Sequence, residues 1–338
     1  MAGTVFVSGG SGYIAGFLIR QLVEAGWMVH TSIRDLAKEG AVRASLKVDD
    51  SKVRFFAADL MSDAGWAEAM AGCSHVAHVA SPLPAKAPKS DDELIVPARD
   101  GALRALRAAR AAGVTRFVMT SSMAAIAYGH GKGRHVFTEA DWTDVSSPDA
   151  YAYVKSKTIA ERAARDWVAA EGDGIEFATV NPSLVLGPLQ SGDFSTSLEA
   201  IKKLLEGSLP GLPNFGFGVV DVRDVADMHV RCLTQPDMAG ERFICSGPFM
   251  LMKEVAAVLR EGLGPQARKV PTRSMPDWLM RIAALFDPVV RTVLGELGNV
   301  RESPADHARE KLGWVPRPAQ DSILDTARSM IALEIVKV

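Results

Sequence analysis

The stretch VFVSGGSGYIAGFLIRQL, Val5 to Leu22, sets the fold class. An apolar, β-prone run passes through a cluster of glycines into a segment whose bulky residues recur at helical spacing, so it reads as strand, tight turn, helix. Within it, Gly10-x-Gly12-x-x-Ala15 fits the dinucleotide fingerprint, with alanine in the third place. Gly9 or Gly10 makes the sharp turn, and Gly12 lets the backbone approach a pyrophosphate. The helix starting near Tyr13 and Ile14 then turns its free N–H groups and positive dipole end towards that anion.

Working outward, short β-branched or aromatic runs recur: TVFV at 4, MVHTSI at 28, VRFFAA at 53, HVAHVA at 75, RFVMTS at 116 and IEFATV at 175. Each reads as a buried strand. Between them lie Ala-, Leu- and Arg-rich segments with helical spacing, clearest from Asp92 to Ala112 and from Ala152 to Ala170. This alternation predicts an α/β fold, a doubly wound parallel sheet of Rossmann type with right-handed crossovers. After Asn181 prolines and glycines cluster and strand signals thin, which points to a smaller C-terminal substrate-binding lobe. The expected division is residues 1–182 as dinucleotide-binding domain, with 219–246 returning to it, and 183–218 plus 247–338 as the lobe. There VDVRDVADMHVRCL reads as a helix and RFICSG as a strand. Pro276 to Leu297 reads as helices with a Met/Leu/Trp/Phe face of core or pocket-wall character.

At 338 residues the chain can bury a sizeable core, and a formal net charge of -2 offers no field for nucleic acid or an anionic membrane. The cysteines Cys73, Cys232 and Cys245 lack CxxC spacing, so no metal site is expected and they read as buried, reduced thiols. No stretch reaches the ~18 uninterrupted apolar residues of a membrane span, and no secretory leader pattern opens the chain. The expectation is a cytoplasmic enzyme with a small-molecule partner, monomeric or homodimeric.

An NAD-binding chain of this type carries a carboxylate at the end of its second strand, roughly 20 residues past the glycines. Here the sequence is MVHTSIRD. No acid occupies the strand end, and Arg34, assisted by Lys38, is suited to a 2′-phosphate, which favours NADPH/NADP+. The alternative is Asp35 turning inward to hold the ribose of NAD(H).

In YAYVKSKTIAE, Tyr151 to Glu161, tyrosine precedes lysine by four residues twice. Stepping from Tyr153 meets Lys157, Ala160, Ala164, Trp167 and Val168, an inward face; stepping from Tyr151 meets Lys155, Thr158, Arg162, Arg165 and Asp166, an outward or rim face. The inward pair has a chemical use. A cation ~6 Å from a forming phenolate stabilises it by about 3 kcal/mol at an effective dielectric near 20, roughly two pKa units below the ordinary ~10 of tyrosine. That moves the phenol towards the range of a general acid or base. RFVMTSSMAAIAYG reads as a strand ending in hydroxyls, where Ser122 can donate to a carbonyl oxygen at the ligand-binding end of the sheet.

Together these features resemble the extended short-chain dehydrogenase/reductase family, most closely its branch of dihydroflavonol reductases, cinnamoyl-CoA reductases and microbial aldehyde and ketone reductases. The likeness runs through VSGGSGYIAG, SIRD, AADL at 57, HVASP at 78, TSSMAAI at 120, YVKSKTIAE at 153, VNPSLVLGP at 180, VDVRDVADMHV at 220 and KLGWVPR at 311. The family pattern Tyr-x-x-Ser-Lys-x-x-Ala-Glu falls on Tyr153, Ser156, Lys157, Ala160 and Glu161. The resemblance implies Ser122, Tyr153 and Lys157 as catalytic residues. It places Ser8, Gly9, Gly12, Tyr13, Ile14 and Thr120 around the cofactor, with Asp59 and Leu60 at adenine. Ala80, Ser81 and Pro82 fall beside the ribose and Pro182 and Leu184 at the nicotinamide. Ser8 stands where most members have threonine, and Ala15 where many have glycine.

The expected reaction is hydride transfer from NADPH to a ketone or aldehyde. A largely apolar pocket with Leu83, Met123, Leu186 and Phe215 would hold the substrate, and helices near Trp278 would form a lid. His130 and His135 read as loop histidines, and Lys202, Lys203 and Arg223 as solvated charges. A sugar-nucleotide epimerase or dehydratase, a hydroxysteroid dehydrogenase and a non-catalytic NADP-binding sensor are the rival readings. Dehydratases of the family need an acid after the strand-end hydroxyl, where this chain has Met123 and Ala124.

Overall fold

The structure is a computed structural model and describes residues 3–82, 88–192, 198–285, 290–291 and 293–337. The strands in chain order are β1 (Thr4–Val7), β2 (Met28–Ile33), β3 (Val53–Ala57), β4 (His75–His78), β5 (Arg116–Thr120), β6 (Arg134–Val136), β7 (Glu176–Pro182), β8 (Leu184–Leu186), β9 (Gly216–Asp221), β10 (Arg242–Cys245), β11 (Phe249–Leu251) and β12 (Val300–Glu302). The helices used below are α1 (Tyr13–Glu24), α2 (Glu39–Leu46), α3 (Trp66–Met70), α4 (Asp92–Ala111), α5 (Ala152–Glu171), α6 (Glu199–Glu206), α7 (Val222–Thr234), α8 (Met252–Leu263) and α9 (Asp277–Ala283). A C-terminal helix spans Ala319–Ala332.

Seven strands form one sheet in the order β10-β7-β5-β4-β1-β2-β3, every neighbour parallel. The chain winds outward from β1 through β2 to β3, then returns to place β4 on the other side of β1. The strand ends on either side of this reversal diverge and leave a crevice, where ligands of such sheets bind. Smaller sheets, β11-β9-β8 and β12-β6, complete the fold. Thus α7 and β10 rejoin the large sheet, while β9 pairs with β8 and β11.

Apolar side chains fill both faces of the large sheet. Val5, Val7 and Val29 on one face pack against Leu18 of α1 and Val225 of α7, and Phe6 and Phe117 on the other against Ala105 of α4 and Trp167 of α5. A separate core holds Leu204, Leu259 and Ile323 from α6, α8 and the C-terminal helix. Trp314 is fully buried and donates its indole N–H to the Asp224 carbonyl at 2.9 Å, pinning the C-terminal segment to α7.

Two expectations are corrected. The run VRFFAA is an edge strand, so β3 has a neighbour on one side only and its residues other than Val53 are half-buried or exposed. The segment after Pro276 buries Met280, yet Trp278 is 59 % and Ile282 48 % exposed; α9 is too short to turn its whole apolar set inward.

Candidate active site

The carboxyl ends of β1, β2 and β4 meet at the glycine loop. Gly9 has φ +73°, a left-handed conformation that costs a β-carbon-bearing residue energy, so Gly9 makes the turn. Gly10 serves close approach instead: a Cβ there would stand 2.2 Å from Oγ1 of Thr31. Gly9 and Gly10 donate to Oγ and O of Ser32 at 3.1 and 2.8 Å, tying the loop to β2. Gly9 therefore turns the loop, Gly10 admits Thr31, and Gly12 opens the helix. Gly12 N-caps α1 without a side-chain bond, which leaves the first-turn N–H groups of Tyr13 and Ile14 for an anion. A cavity lined by Gly10, Ser11, Gly12, Tyr13, Ser45, Leu189, Gln190 and Ser191 sits at this helix end. These donors fit a dinucleotide pyrophosphate.

Ser8 ties the loop to the neighbouring strand. It is fully buried, and its Oγ accepts N–H bonds from Val79 and Ala80 at 2.9 Å and lies 3.1 Å from Nδ1 of His78, binding β1 to the end of β4. That clamp brings Ala80 against Gly9, with Ser81 and Pro82 half-buried beyond it. Thr120 is also turned inward, its hydroxyl 2.7 Å from Nε2 of buried His229. Asp59 accepts from the Met61 N–H at 2.7 Å, and Leu60 packs into the notch that Gly101 leaves in α4.

Beyond β2, Arg34 and Lys38 are exposed. Asp35 is engaged: its Oδ1 accepts the Ala37 N–H at 2.9 Å and caps the short turn Leu36–Lys38.

Tyr153 and Lys157 occupy the first two turns of α5, on the stripe that continues through Ala160, Glu161, Ala164 and Trp167, all buried. Ser122 opens the short turn Met123–Ala125 after β5, in extended backbone. Its Oγ accepts the Ala124 N–H at 3.1 Å and lies near enough to the Tyr153 hydroxyl to favour its ionised form. The Lys157 Nζ stands 5.9 Å from the Tyr153 ring centroid. Burial pushes this ammonium down to about 8, against the opposing pull of Glu161. The same ammonium adds to burial in holding His78 neutral, at about 3, so Lys157 reaches towards the end of β4.

The expected acidification of the phenol is not produced by these groups alone. Burial pushes Tyr153 above its ordinary value, and the neighbouring Ser122 hydroxyl opposes that. A protonated phenol at rest is the form that can donate.

Tyr151 is not on an open face. Its ring packs edge-on against Tyr128 and nearly parallel to Tyr153, and burial raises its phenol as well. Thr158 is fully buried and donates to the Val154 carbonyl at 2.8 Å. Lys155 is held by Asp91 at 2.7 Å. Helix α5 is wedged between α4 and the turn after β5, which covers it on two sides and leaves Arg162, Asp166 and Ala169 outside.

Sequence reasoning assigned no role to Glu161, yet the site is built around it. Its carboxylate accepts from Arg242 Nε at 2.7 Å, Arg165 Nε at 3.2 Å, Asn181 Nδ2 at 2.9 Å and the hydroxyl of Ser121 at 2.5 Å. Asn181 also donates to the Ser122 carbonyl at 3.2 Å. Glu161 thus supports Ser122 through Asn181 and Lys157 through charge. Its position one turn beyond Lys157 on the inward face was a readable signal; its partners were not.

Of the expected substrate wall, Met123 is half-buried and Leu83 lies outside the described residues; of the residues expected at the nicotinamide, Pro182 is buried and Leu184 half-buried. Leu186 is fully buried and Phe215 8 % exposed, both packed in the lobe's core, so they shape a pocket from behind. His130 lies in a turn, but His135 is part of β6. Arg223 is no solvated charge, since it bridges Asp221 at 2.8 Å and Asp325 at 2.6 Å. Among the described residues, Cys73, Cys232 and Cys245 are buried free thiols, no group of three metal-ligating side chains gathers, and no helix is long and apolar enough to cross a membrane.

Comparison with known proteins bears on this geometry. The model of the NAD dependent epimerase/dehydratase family matches residues 5–245. The chain is 36% identical to cinnamoyl-CoA reductase CAD2 of Medicago truncatula over 264 residues, 76% of this chain and 78% of the relative. It is 30% identical to dihydroflavonol 4-reductase of Zea mays over 267 residues, 77% and 74% of the two chains. Among solved structures, yeast methylglyoxal/isovaleraldehyde reductase Gre2 complexed with NADPH superposes with a TM-score of 0.83 at 25% identity, covering 98% of this chain and 99% of the other. Vestitone reductase from alfalfa superposes at 0.77 and 25% identity, covering 99% and 100%. With the glycine loop and the Ser122, Tyr153 and Lys157 arrangement in place, the chain belongs to the NAD dependent epimerase/dehydratase family, in the extended short-chain dehydrogenase/reductase branch of the dihydroflavonol and cinnamoyl-CoA reductases.

Proposed function

We propose that this protein is an NADPH-dependent reductase of apolar or aromatic ketones and aldehydes. The observation that carries the reading is the pairing of Tyr153 with the buried Lys157 one helical turn on along α5, 5.9 Å from the phenol ring, beside Ser122 at strand ends that converge on the glycine loop. When bound, NADPH supplies the hydride that adds to the carbonyl carbon. Ser122 and Tyr153 hold the carbonyl oxygen, and as charge builds on it Tyr153 delivers its proton there. The phenolate left behind is stabilised by the Lys157 ammonium. Gly12 and the start of α1 hold the pyrophosphate, and Arg34 and Lys38 face the adenosine 2′-phosphate. The cofactor bound by the yeast relative and the names of the plant relatives support the same chemistry.

The test is NADPH consumption across aromatic aldehydes, α- and β-ketoesters, diketones, dihydroflavonols and steroids, with Tyr153→Phe as control. Turnover of at least one class by wild type alone is expected. No turnover of any class would overturn the reading.

A further inference from the structure

The second tyrosine of YAYVKSK has a use that the reaction just described does not assign. Resting on that reading of Tyr153 as proton donor, we propose that Tyr151 is a positioning residue for the Tyr153 phenol, held by a ladder of rings that ends on Arg301 in the C-terminal segment.

Tyr153 is the second residue of α5, where a helix is least restrained. The residue capping that end is Tyr151, and its side chain makes no capping bond to the backbone. Something else must hold the first turn. The Tyr151 ring lies 6.4 Å from that of Tyr153 at an interplanar angle of 23°, and 6.0 Å from that of Tyr128 at 85°. Offset-parallel and edge-to-face contacts are the preferred arrangements of aromatic pairs. On Tyr128 rests the Arg301 guanidinium, 4.3 Å from the ring centroid.

Arg301 is itself locked. It is 13 % exposed, donates from Nε to the Ala127 carbonyl at 2.9 Å, pairs with Glu296, and has Nη2 3.4 Å from Oδ2 of Asp149. Asp149 in turn accepts from the Gly129 N–H at 3.3 Å and the Ser147 hydroxyl at 2.6 Å. Arg301 lies on β12, whose parallel pairing with β6 sets it opposite His135. The orientation of the proton donor is thereby referred to a strand from the far end of the chain. A reacting group displaced by about 1 Å can lose on the order of a hundredfold in rate, so such a ladder bears on turnover more than on binding.

The chain has four tyrosines, Tyr13, Tyr128, Tyr151 and Tyr153, so ring-labelled tyrosine yields four NMR signals, each assignable by substitution with phenylalanine. In Tyr151→Leu the Tyr153 signal is expected to broaden, the line width being read because loss of the Tyr151 ring current moves the shift in any case. The kcat for para-nitrobenzaldehyde falls about tenfold or more, while KM and NADPH affinity by fluorescence titration stay within about threefold. Tyr151→Phe keeps the stacking ring and stays within about threefold of wild type in all of these. Arg301→Met reproduces the leucine effect from the other end of the ladder; if it does not fold, the leucine and phenylalanine variants decide alone.

A Tyr153 line width and kcat unchanged in Tyr151→Leu would overturn the proposal, as would a phenylalanine variant that falls as far as the leucine one. Should wild type leave the aldehyde unreduced, that is a failure of the reductase reading on this probe. The Tyr153 signal, read without cofactor or substrate, still decides whether Tyr151 positions it.

Discussion

Glu161 and Arg242 face each other at 2.7 Å with both side chains almost wholly inside the protein, one on α5 and the other on β10. Burial alone would raise the carboxyl; Arg242, Arg165 and the bonds from Ser121 and Asn181 outweigh it and hold the group below its ordinary value. Removing one partner of such a pair strands the other charge, so Glu161→Ala is expected to cost ~3–5 kcal/mol of stability, measured by denaturant unfolding. Because Asn181 links this carboxylate to the Ser122 carbonyl, the folded fraction should also lose kcat.

The same group predicts an acid limb. Its folded value lies below its unfolded one, so its contribution is fully present above the ordinary carboxylate range and is lost as pH falls through the depressed folded value. Unfolding free energy measured against pH should therefore decline more steeply in wild type than in Glu161→Gln over that acidic window.

Replacing Tyr153 by phenylalanine removes the proton donor and is expected to lower kcat by about a hundredfold or more, the usual worth of a positioned acid. Tyr151→Phe keeps most activity. Equal losses in steady-state assays of the two variants would show that the wrong tyrosine has been named.

Lys157, held down to about 8 by burial, should govern the alkaline side of the reaction. Above that pH the amine is neutral and no longer supports a phenolate, so log kcat for carbonyl reduction falls as pH rises through about 8. Stability runs the other way. The unfolded chain keeps this proton to higher pH, so folding gains as pH climbs from about 8 towards the ordinary lysine value of 10.5. A pH–rate profile beside a pH–stability profile checks both signs.

Arg34→Ala is expected to raise KM for NADPH by roughly tenfold or more, since charge-assisted bonds are worth about 1.5–3 kcal/mol, and to change KM for NADH much less. A wild type that prefers NADH would refute the assignment.

Strand, turn and helix around the glycines, the parallel alternation and the inward placing of Lys157 one turn beyond Tyr153 could all be read along the chain. Each is written in local periodicity: bulky residues three and four apart define which side of α5 is covered, and apolar runs define strands. Reading failed where local pattern meets a distant neighbour. Whether Gly9 or Gly10 turns the loop depends on Thr31, which crowds one of them, and on the left-handed backbone of the other. VRFFAA looks like any buried strand until its place at the sheet edge is known.

The linear order of residues therefore settled the architecture and the inward face of α5 that carries Lys157, because backbone preference and helical phase act between residues close in sequence. The three-dimensional packing alone settled which charges and rings lie beside Ser122, Tyr153 and Lys157. Glu161 meets Arg242, and Tyr128 meets Arg301, only because β10 joins the large sheet and β12 pairs with β6. Burial makes those encounters matter, since an ion or phenol withdrawn from water depends on whatever partner the fold places beside it.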